Sequence, residues 1–216
     1  MAKKRRVPNL KIEKSLQQEG YLVIAGVDEA GRGAWAGPVV AAAVVLPFLK
    51  RYYGITDSKL LSPLQREILL SKIYQLAVDI GLGVADVWEI DELGIAQASY
   101  LAMRRAVGNL SHQPQYILVD GFKVGFAETP SLGIIDGDRK SVSIAAASIV
   151  AKVSRDRMMG EIHLEVPQYN FHINKGYGTS FHQVKIKELG TCQWHRTSYQ
   201  PIKDSISDRA NLEILC

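Results

Sequence analysis

Three apolar runs in this chain end in acids. "YLVIAGV" (21–27) leads into Asp28 and Glu29, "YILV" (116–119) into Asp120, and "LGII" (132–135) into Asp136, with Asp138 two residues further on. Aspartate is a common turn residue, so one such ending carries little information. If neighbouring strands bring three of them together, they form a carboxylate cluster. Clustered carboxylates repel one another unless they share protons or bind cations. An oxygen-only ligand set selects a hard ion such as Mg²⁺ or Mn²⁺, and no His or Cys stands at metal-ligand spacing to compete. Two such ions held roughly 3.5–4 Å apart can activate a water and stabilise a leaving oxygen in phosphodiester hydrolysis. The competing reading is scattered turn acids with no metal, and spacing alone weighs the two evenly. Spacing also leaves the last acid open between Asp136 and Asp138.

The segment after the first acid pair, "AGRGAWAGP" (30–38), sets a glycine loop directly beside two carboxylates. Glycine loops after strands commonly cradle phosphate, which the acids would repel, and cations between the two remove the conflict. Gly31, Gly33 and Ala36 formally fit the relaxed dinucleotide fingerprint. The context fails, because a helix should open there and Pro38 opens a β-branched run instead. No P-loop sequence occurs. The glycines shape a tight turn and also bare the backbone, so that N–H groups of Gly31 to Gly33 can approach a ligand. Arg32 can add a charge-assisted phosphate contact.

The elements that must position these residues follow from periodicity. Residues 1–20 are a polar lead-in. Strands are predicted over 21–28, 38–47, 81–88, 116–120 and 132–136. Helices are predicted over 63–78, opened by Ser62-Pro63, over 91–107, from about 143 through "SIAAASIVAKVSRDRMM", and over 181–189. A hairpin followed by alternating strands and helices makes an α/β chain with a mixed sheet.

The 216 residues are expected to form a single domain spanning 1–216, with a C-terminal extension over about 180–216. The net charge of +4, from 26 basic and 22 acidic residues, hints at a polyanionic partner. Cys192 and Cys216 have no metal or redox spacing, which points to a reducing compartment. The longest apolar run, 39–49, is broken by Pro47 and falls short of the ~20 residues of a bilayer span. "MAKKRRV" is followed by no apolar signal core, and its basic run is expected to be a solvated terminus. A cytoplasmic protein that touches no membrane is the expectation.

These residues resemble ribonuclease HII, the type 2 ribonuclease H family. "GVDEAGRGAWAGPVVAAAVVL" (26–46) looks like its opening block. "TDSKLLS" (56–62), "YILVDG" (116–121), "GDRKSVSIAAASIVAKVSRDRMM" (137–159), "NKGYGTSFH" (174–182) and "HRTSYQP" (195–201) look like its later blocks, in the same order. The likeness runs from residue 21 to about 201. It implies a ribonuclease H-like fold, with a mixed central sheet flanked by helices and a C-terminal helical extension. It also implies four catalytic, metal-holding acids: Asp28, Glu29, Asp120 and Asp138. Asp138 is preferred over Asp136 because the matching acid follows a glycine before the "SIAAAS" helix. The related ribonuclease HIII carries an additional N-terminal domain, and "GRG" also fits HII rather than HIII.

The resemblance further implies an endonuclease that cuts the RNA strand of RNA/DNA hybrids. It would also cut 5′ of single ribonucleotides embedded in duplex DNA, using two Mg²⁺ or Mn²⁺ ions and leaving a 3′-OH and a 5′-phosphate. Such an enzyme serves ribonucleotide removal in DNA replication and repair. Gly31, Arg32, Gly33 and Tyr177 would recognise the ribonucleotide–DNA junction, because the 2′-OH both donates and accepts hydrogen bonds. The competing role for Tyr177 is a loop aromatic packed on the core.

Lys59, Lys152, Ser148 and Lys175 are further substrate-binding candidates. Ser148 and Lys152 lie four residues apart on one helical face, and the alternative for the lysines is solvated or paired charge. Lys175 and His182 flank Tyr177 and are placed to touch substrate, with capping of a short helix as the alternative for His182, and His195 and Arg196 serve the C-terminal fold. Tyr199 departs from the family's usual Phe. A monomer is expected. The family admits a sliding-clamp partner, yet "NLEILC" carries no convincing clamp-binding peptide. Two rivals remain: a two-metal nuclease of resolvase or transposase type that ignores the 2′-OH, and a non-catalytic nucleic-acid-binding protein. The intact "GRG" and Tyr177 argue against the first, and the four intact acids against the second.

Overall fold

The structure, a computed structural model, describes residues 7–48, 54–56, 58, 61–121 and 124–214, with 208–214 as backbone only. In chain order the elements are α1 (Lys11–Gln18), β1 (Ile24–Ala30), β2 (Val39–Val45), α2 (Pro63–Leu76), β3 (Asp79–Ala85), α3 (Val87–Leu93) and α4 (Ile95–Gly108). There follow β4 (Tyr116–Asp120), β5 (Ser131–Ile134), α5 (Val142–Glu165), α6 (Phe171–Asn174), α7 (Ser180–Leu189) and α8 (Gln200–Ile214). The chain divides into two compact units. One runs to Ala30 and includes Val40–Val84 and Tyr100–Val153; the other comprises Gly31–Val39, Ala85–Ser99 and the chain from Ser154.

The first unit is built on a mixed five-stranded sheet in the order β3-β2-β1-β4-β5. β1 runs antiparallel to β2 and parallel to β4, and β4 runs parallel to β5. Strand alternation sorts the helices onto the two faces. Ile80 and Leu82 pack with α2 and the first half of α5, around Leu69, Leu70, Ile73, Ile149 and Val150. A Cβ added to Gly81 or Gly83, between them, would strike the backbone of Ala106 or Ala102 in α4. So α4 covers the other face. The same close approach recurs at Gly26, where a Cβ would collide with the backbone of Ser143 and Ile144 in α5. The contact between α5 and the middle of the sheet is built almost without side chains: Ala42, Ala145, Ala146, Ala147 and Ala151 are all fully buried in one cluster.

α1 is a helix within what the periodicity suggests is a mere lead-in. It buries Leu16 against Ile24, Leu118, Ile134 and Ile144, and it buries an acid. The Glu13 carboxylate accepts from Ser141 Oγ at 2.6 Å and from Ser143 N at 3.1 Å, which caps α5. Ser62 caps α2 as expected, through a capping box with Gln65. The helix predicted over 91–107 is instead two helices, broken at Gly94 in a positive-φ conformation (φ 76°). The predicted strand over 81–88 stops at Ala85 because Asp86 starts α3, its N–H bonded to the Glu89 carboxylate at 3.0 Å.

The second unit has its own core of Ala36, Met159, Ile162, Tyr169, Phe171, Ile186 and Ile202. α7 opens at Thr179, whose hydroxyl accepts from His182 N at 3.3 Å. Asp91 of α3 accepts from both the backbone and the hydroxyls of Thr197 and Ser198, at 2.7–2.9 Å. Among the described residues no helix is long and apolar enough to cross a membrane.

Candidate active site

The acids of the first unit are positioned by strand register. Val27 pairs with Val119 across the parallel β1–β4 ladder. Asp28 and Asp120 therefore stand at the same level, at the C-terminal ends of neighbouring strands. Gly26 faces α5, so Asp28, two residues on, faces it too. Ser148 lies one helical turn beyond Ile144, a rise of about 6 Å, and this matches the advance from Gly26 to Asp28 along the strand. The Ser148 hydroxyl is hydrogen-bonded to the Asp28 carboxylate and lies 3.0 Å from Ser58 Oγ. Of the residues in "DSK", Asp57 and Lys59 lie outside the described residues, so only Ser58 is placed.

Asp28 is 4% exposed. Burial, and then the negative charges of Glu29 and Asp120, hold its carboxyl well above the usual carboxylate range. The Ser148 hydroxyl and the Glu29 N–H, which reaches Asp28 Oδ1 at 2.7 Å, oppose that shift. Glu29 is half-buried, and alternation sets its Cβ on the other side of the strand from that of Asp28. Asp120 Oδ1 accepts from Gly137 N at 2.6 Å. This ties β4 to the 3₁₀ turn Gly137–Arg139, which carries Asp138. Asp138 is buried, whereas Asp136 is exposed and left-handed (φ 53°).

Among the described residues, no three Asp, Glu, His or Cys side chains converge into a ready-made metal cage. The donors still suit a hard divalent ion, because they are all oxygens and crowd negative charge around a buried carboxyl. Mg²⁺ is commonly held by one or two carboxylates, retained waters and substrate phosphates, without a closed protein cage.

In the second unit the glycine loop is fastened from beneath. Arg196 donates to the carbonyls of Arg32 (3.1 Å), Gly37 (2.7 and 2.9 Å) and Pro38 (3.2 Å). Its backbone N–H reaches Trp35 O at 2.8 Å, and the Tyr199 hydroxyl donates to Arg32 O. Among the described residues the peptide bonds are trans. With the Arg32 carbonyl turned toward Arg196 and Tyr199, the N–H of Gly33 must point the opposite way. Gly33 is exposed, and a Cβ there would meet nothing within 4 Å. Gly31 is buried in a positive-φ conformation (φ 94°), and a Cβ there would run into the Arg155 side chain. The loop thus offers a bare donor on a rigid base.

Tyr177 is 38% exposed, with its ring 5.6 Å from the Arg155 guanidinium carbon. Lys175 is left-handed (φ 53°) and its ammonium donates to Asp156 O at 3.1 Å. Lys152 is half-buried on α5, one turn after Ser148. His182 is fully buried, with Nδ1 2.9 Å from Tyr177 O and Nε2 3.0 Å from His195 Nε2. It therefore braces the Tyr177 backbone from inside, away from solvent.

The residues that sequence reasoning passed over are Ser58 and Arg155. Ser148, Ala151, Arg155 and Met159 recur at spacings of three and four along one side of α5, and all four are buried. An arginine inside such a stripe was the available signal.

A family model described as Ribonuclease HII matches residues 25–202. A protein named Ribonuclease HII from Chlamydia trachomatis serovar A is 48% identical over 192 residues, covering 88% of each chain. Another of that name from Dehalococcoides mccartyi is 47% identical over 204 residues, covering 92% of this chain and 95% of its own. Among solved structures, the ribonuclease H2 from Pyrococcus horikoshii OT3 superposes with a TM-score of 0.74 at 28% identity, covering 86% of this chain and 98% of that one. The mixed sheet with its flanking helices is accordingly a ribonuclease H-like fold. The chain belongs to the ribonuclease HII family and is a hydrolytic endonuclease of the ribonuclease H type.

Proposed function

We propose that this enzyme cuts the RNA strand of RNA/DNA hybrids and also cuts on the 5′ side of single ribonucleotides embedded in duplex DNA. This activity would clear ribonucleotides during DNA replication and repair. Asp28, Glu29, Asp120 and Asp138 are the catalytic acids and hold two divalent ions, Mg²⁺ or Mn²⁺. The observation that carries this reading is the placement of Asp28 and Asp120 one residue beyond the Val27–Val119 pair on neighbouring parallel strands, with Asp28 buried among like charges. When bound, the ions supply an activated water and charge stabilisation for the leaving oxygen.

The chain's own residues do the rest. Ser148 fixes the rotamer of the Asp28 carboxylate and is itself held by Ser58. The Gly137 N–H fixes Asp120. Water adds to phosphorus in line, the bond to the upstream O3′ breaks, and that oxygen takes up a proton, leaving a 3′-OH and a 5′-phosphate. Gly31, Arg32 and Gly33, which begin two residues after Glu29, read the ribose 2′-OH through their backbone, with the exposed Gly33 clear of any side chain. The Tyr177 phenol adds a hydrogen bond at that sugar, and its ring packs on the next one. Lys59, Lys152 and Lys175 serve phosphate binding, so affinity falls with salt.

The test is a DNA duplex carrying one ribonucleotide, offered with Mg²⁺ or Mn²⁺ to the wild type and to Asp120→Asn. Cleavage 5′ of the ribonucleotide by the wild type alone is expected. An inactive wild type, or an Asp120→Asn variant of undiminished rate, would refute the proposal.

A further inference from the structure

Arg155 sits where the two elements assigned to the junction meet. It is fully buried. Its Nε donates to Pro38 O at 2.8 Å and its Nη2 to Ala36 O at 3.1 Å, both in the segment that continues the glycine loop. Its Nη1 donates to Lys175 O at 2.9 Å, two residues before Tyr177, and its guanidinium carbon lies 5.6 Å from the Tyr177 ring centroid. Gly31 lies directly against the same side chain. One planar cation therefore touches the glycine loop, the chain entering Tyr177 and the Tyr177 ring, and its recorded hydrogen bonds go to backbone carbonyls.

We infer that Arg155 is the positioning residue for ribonucleotide recognition, fixing the spacing between the Gly31–Gly33 backbone and the Tyr177 side chain. This rests on the junction-reading role proposed above. The chemistry favours arginine specifically. A guanidinium presents donors in a rigid fork, so three carbonyls bound to it hold fixed mutual positions. An ammonium radiates its donors from one flexible point and cannot span the same three carbonyls. Burial pulls the Arg155 pKa down to about 10, with the Tyr177 phenol opposing and the Arg196 charge adding to the fall, and at neutral pH the group remains a cation. Met159, one turn further along α5, fills the space beside Gly37, next to the guanidinium.

The test compares two substrates on one preparation: a duplex with a single ribonucleotide and an all-RNA strand paired with DNA. The ratio of the two kcat/KM values does not depend on how much of the enzyme is folded. Arg155→Lys is expected to lower that ratio by about tenfold. A purely structural arginine would lower the melting temperature and leave the ratio alone, and that outcome overturns the inference. If Arg155→Lys gives no folded protein, Arg155→Gln, which keeps a planar donor but cannot reach three carbonyls, is read by the same ratio: a fall supports the inference and an unchanged ratio overturns it. Tyr177→Ala separates the two levels. If it leaves the ratio untouched, the junction-reading role and the Arg155 assignment both fall. If it lowers the ratio while Arg155→Lys does not, only the Arg155 assignment falls.

Discussion

His182 and His195 meet nitrogen to nitrogen, Nε2 to Nε2 at 3.0 Å, and this contact fixes where every proton in the pair resides. His182 Nδ1 faces the Tyr177 carbonyl at 2.9 Å and must carry hydrogen, so its Nε2 accepts. His195 Nε2 therefore donates, and its Nδ1 accepts from the Cys192 N–H at 2.9 Å and from the thiol at 3.2 Å. Both rings are neutral, one as each tautomer. A proton added to either would put two N–H groups face to face.

The first prediction concerns acid stability. Burial lowers the pKa of both histidines, and the neighbouring His182 helps bring His195 to about 4. In the unfolded chain both rings take up protons near pH 6.5. Between those limits the unfolded state binds more protons, so the pair costs stability progressively as pH falls from about 6.5 toward 4, and costs nothing above that window. The wild type should lose roughly 5 °C of melting temperature to this pair between about pH 7 and about pH 4.5. Thermal melts of His195→Gln, which keeps a donor toward His182 but cannot titrate, should show a flatter acid limb. Parallel limbs would contradict the assignment.

The second prediction concerns the cost of the candidate catalytic centre. Asp28 is buried beside two other carboxylates. Asp28→Asn keeps its shape and removes one charge from the cluster. Without divalent ions this variant should melt roughly 3 °C higher than the wild type, while cleavage falls on the order of a thousandfold. A lower melting temperature would mean that the ionised carboxylate is a net stabiliser, contrary to the repulsion described here.

The third prediction concerns Gly26. A methyl group there meets the backbone of α5, which cannot rotate aside as a side chain could. Gly26→Ala should cost about 3 kcal/mol of stability by urea denaturation. Because Ser148 sits one turn beyond that contact, cleavage by the folded fraction should also drop. Full activity per folded molecule would show that the Ser148–Asp28 bond tolerates a displaced helix.

The strand-end acids were legible because strand alternation and turn chemistry are local. Asp28 and Asp120 needed only the statement that their strands are neighbours, which the sheet order supplies. Periodicity could not choose between Asp136 and Asp138, because what separates them is the left-handed turn that exposes one and buries the other. α1 stayed hidden because its anchor is the polar Glu13, whose partners Ser141 and Ser143 lie far along the chain. Arg155 was the least legible. A buried cation satisfied by carbonyls has partners of no particular residue type, so only its place in the buried stripe of α5 marks it, whereas Arg196 was legible as a residue of the C-terminal fold but not as the anchor of the glycine loop.

The alanine-lined contact between α5 and β2 also shapes how the gene can vary. Ala42 and Ala145 to Ala147 have no atoms beyond Cβ to lose, so nearly every substitution there adds bulk to a filled space. Damage in this region should therefore arise by intrusion, seldom by hollowing. A second-site suppressor would have to remove atoms elsewhere. The adjoining Val44, Ile149 and Val150, fully buried in the same cluster, are the side chains able to give them up.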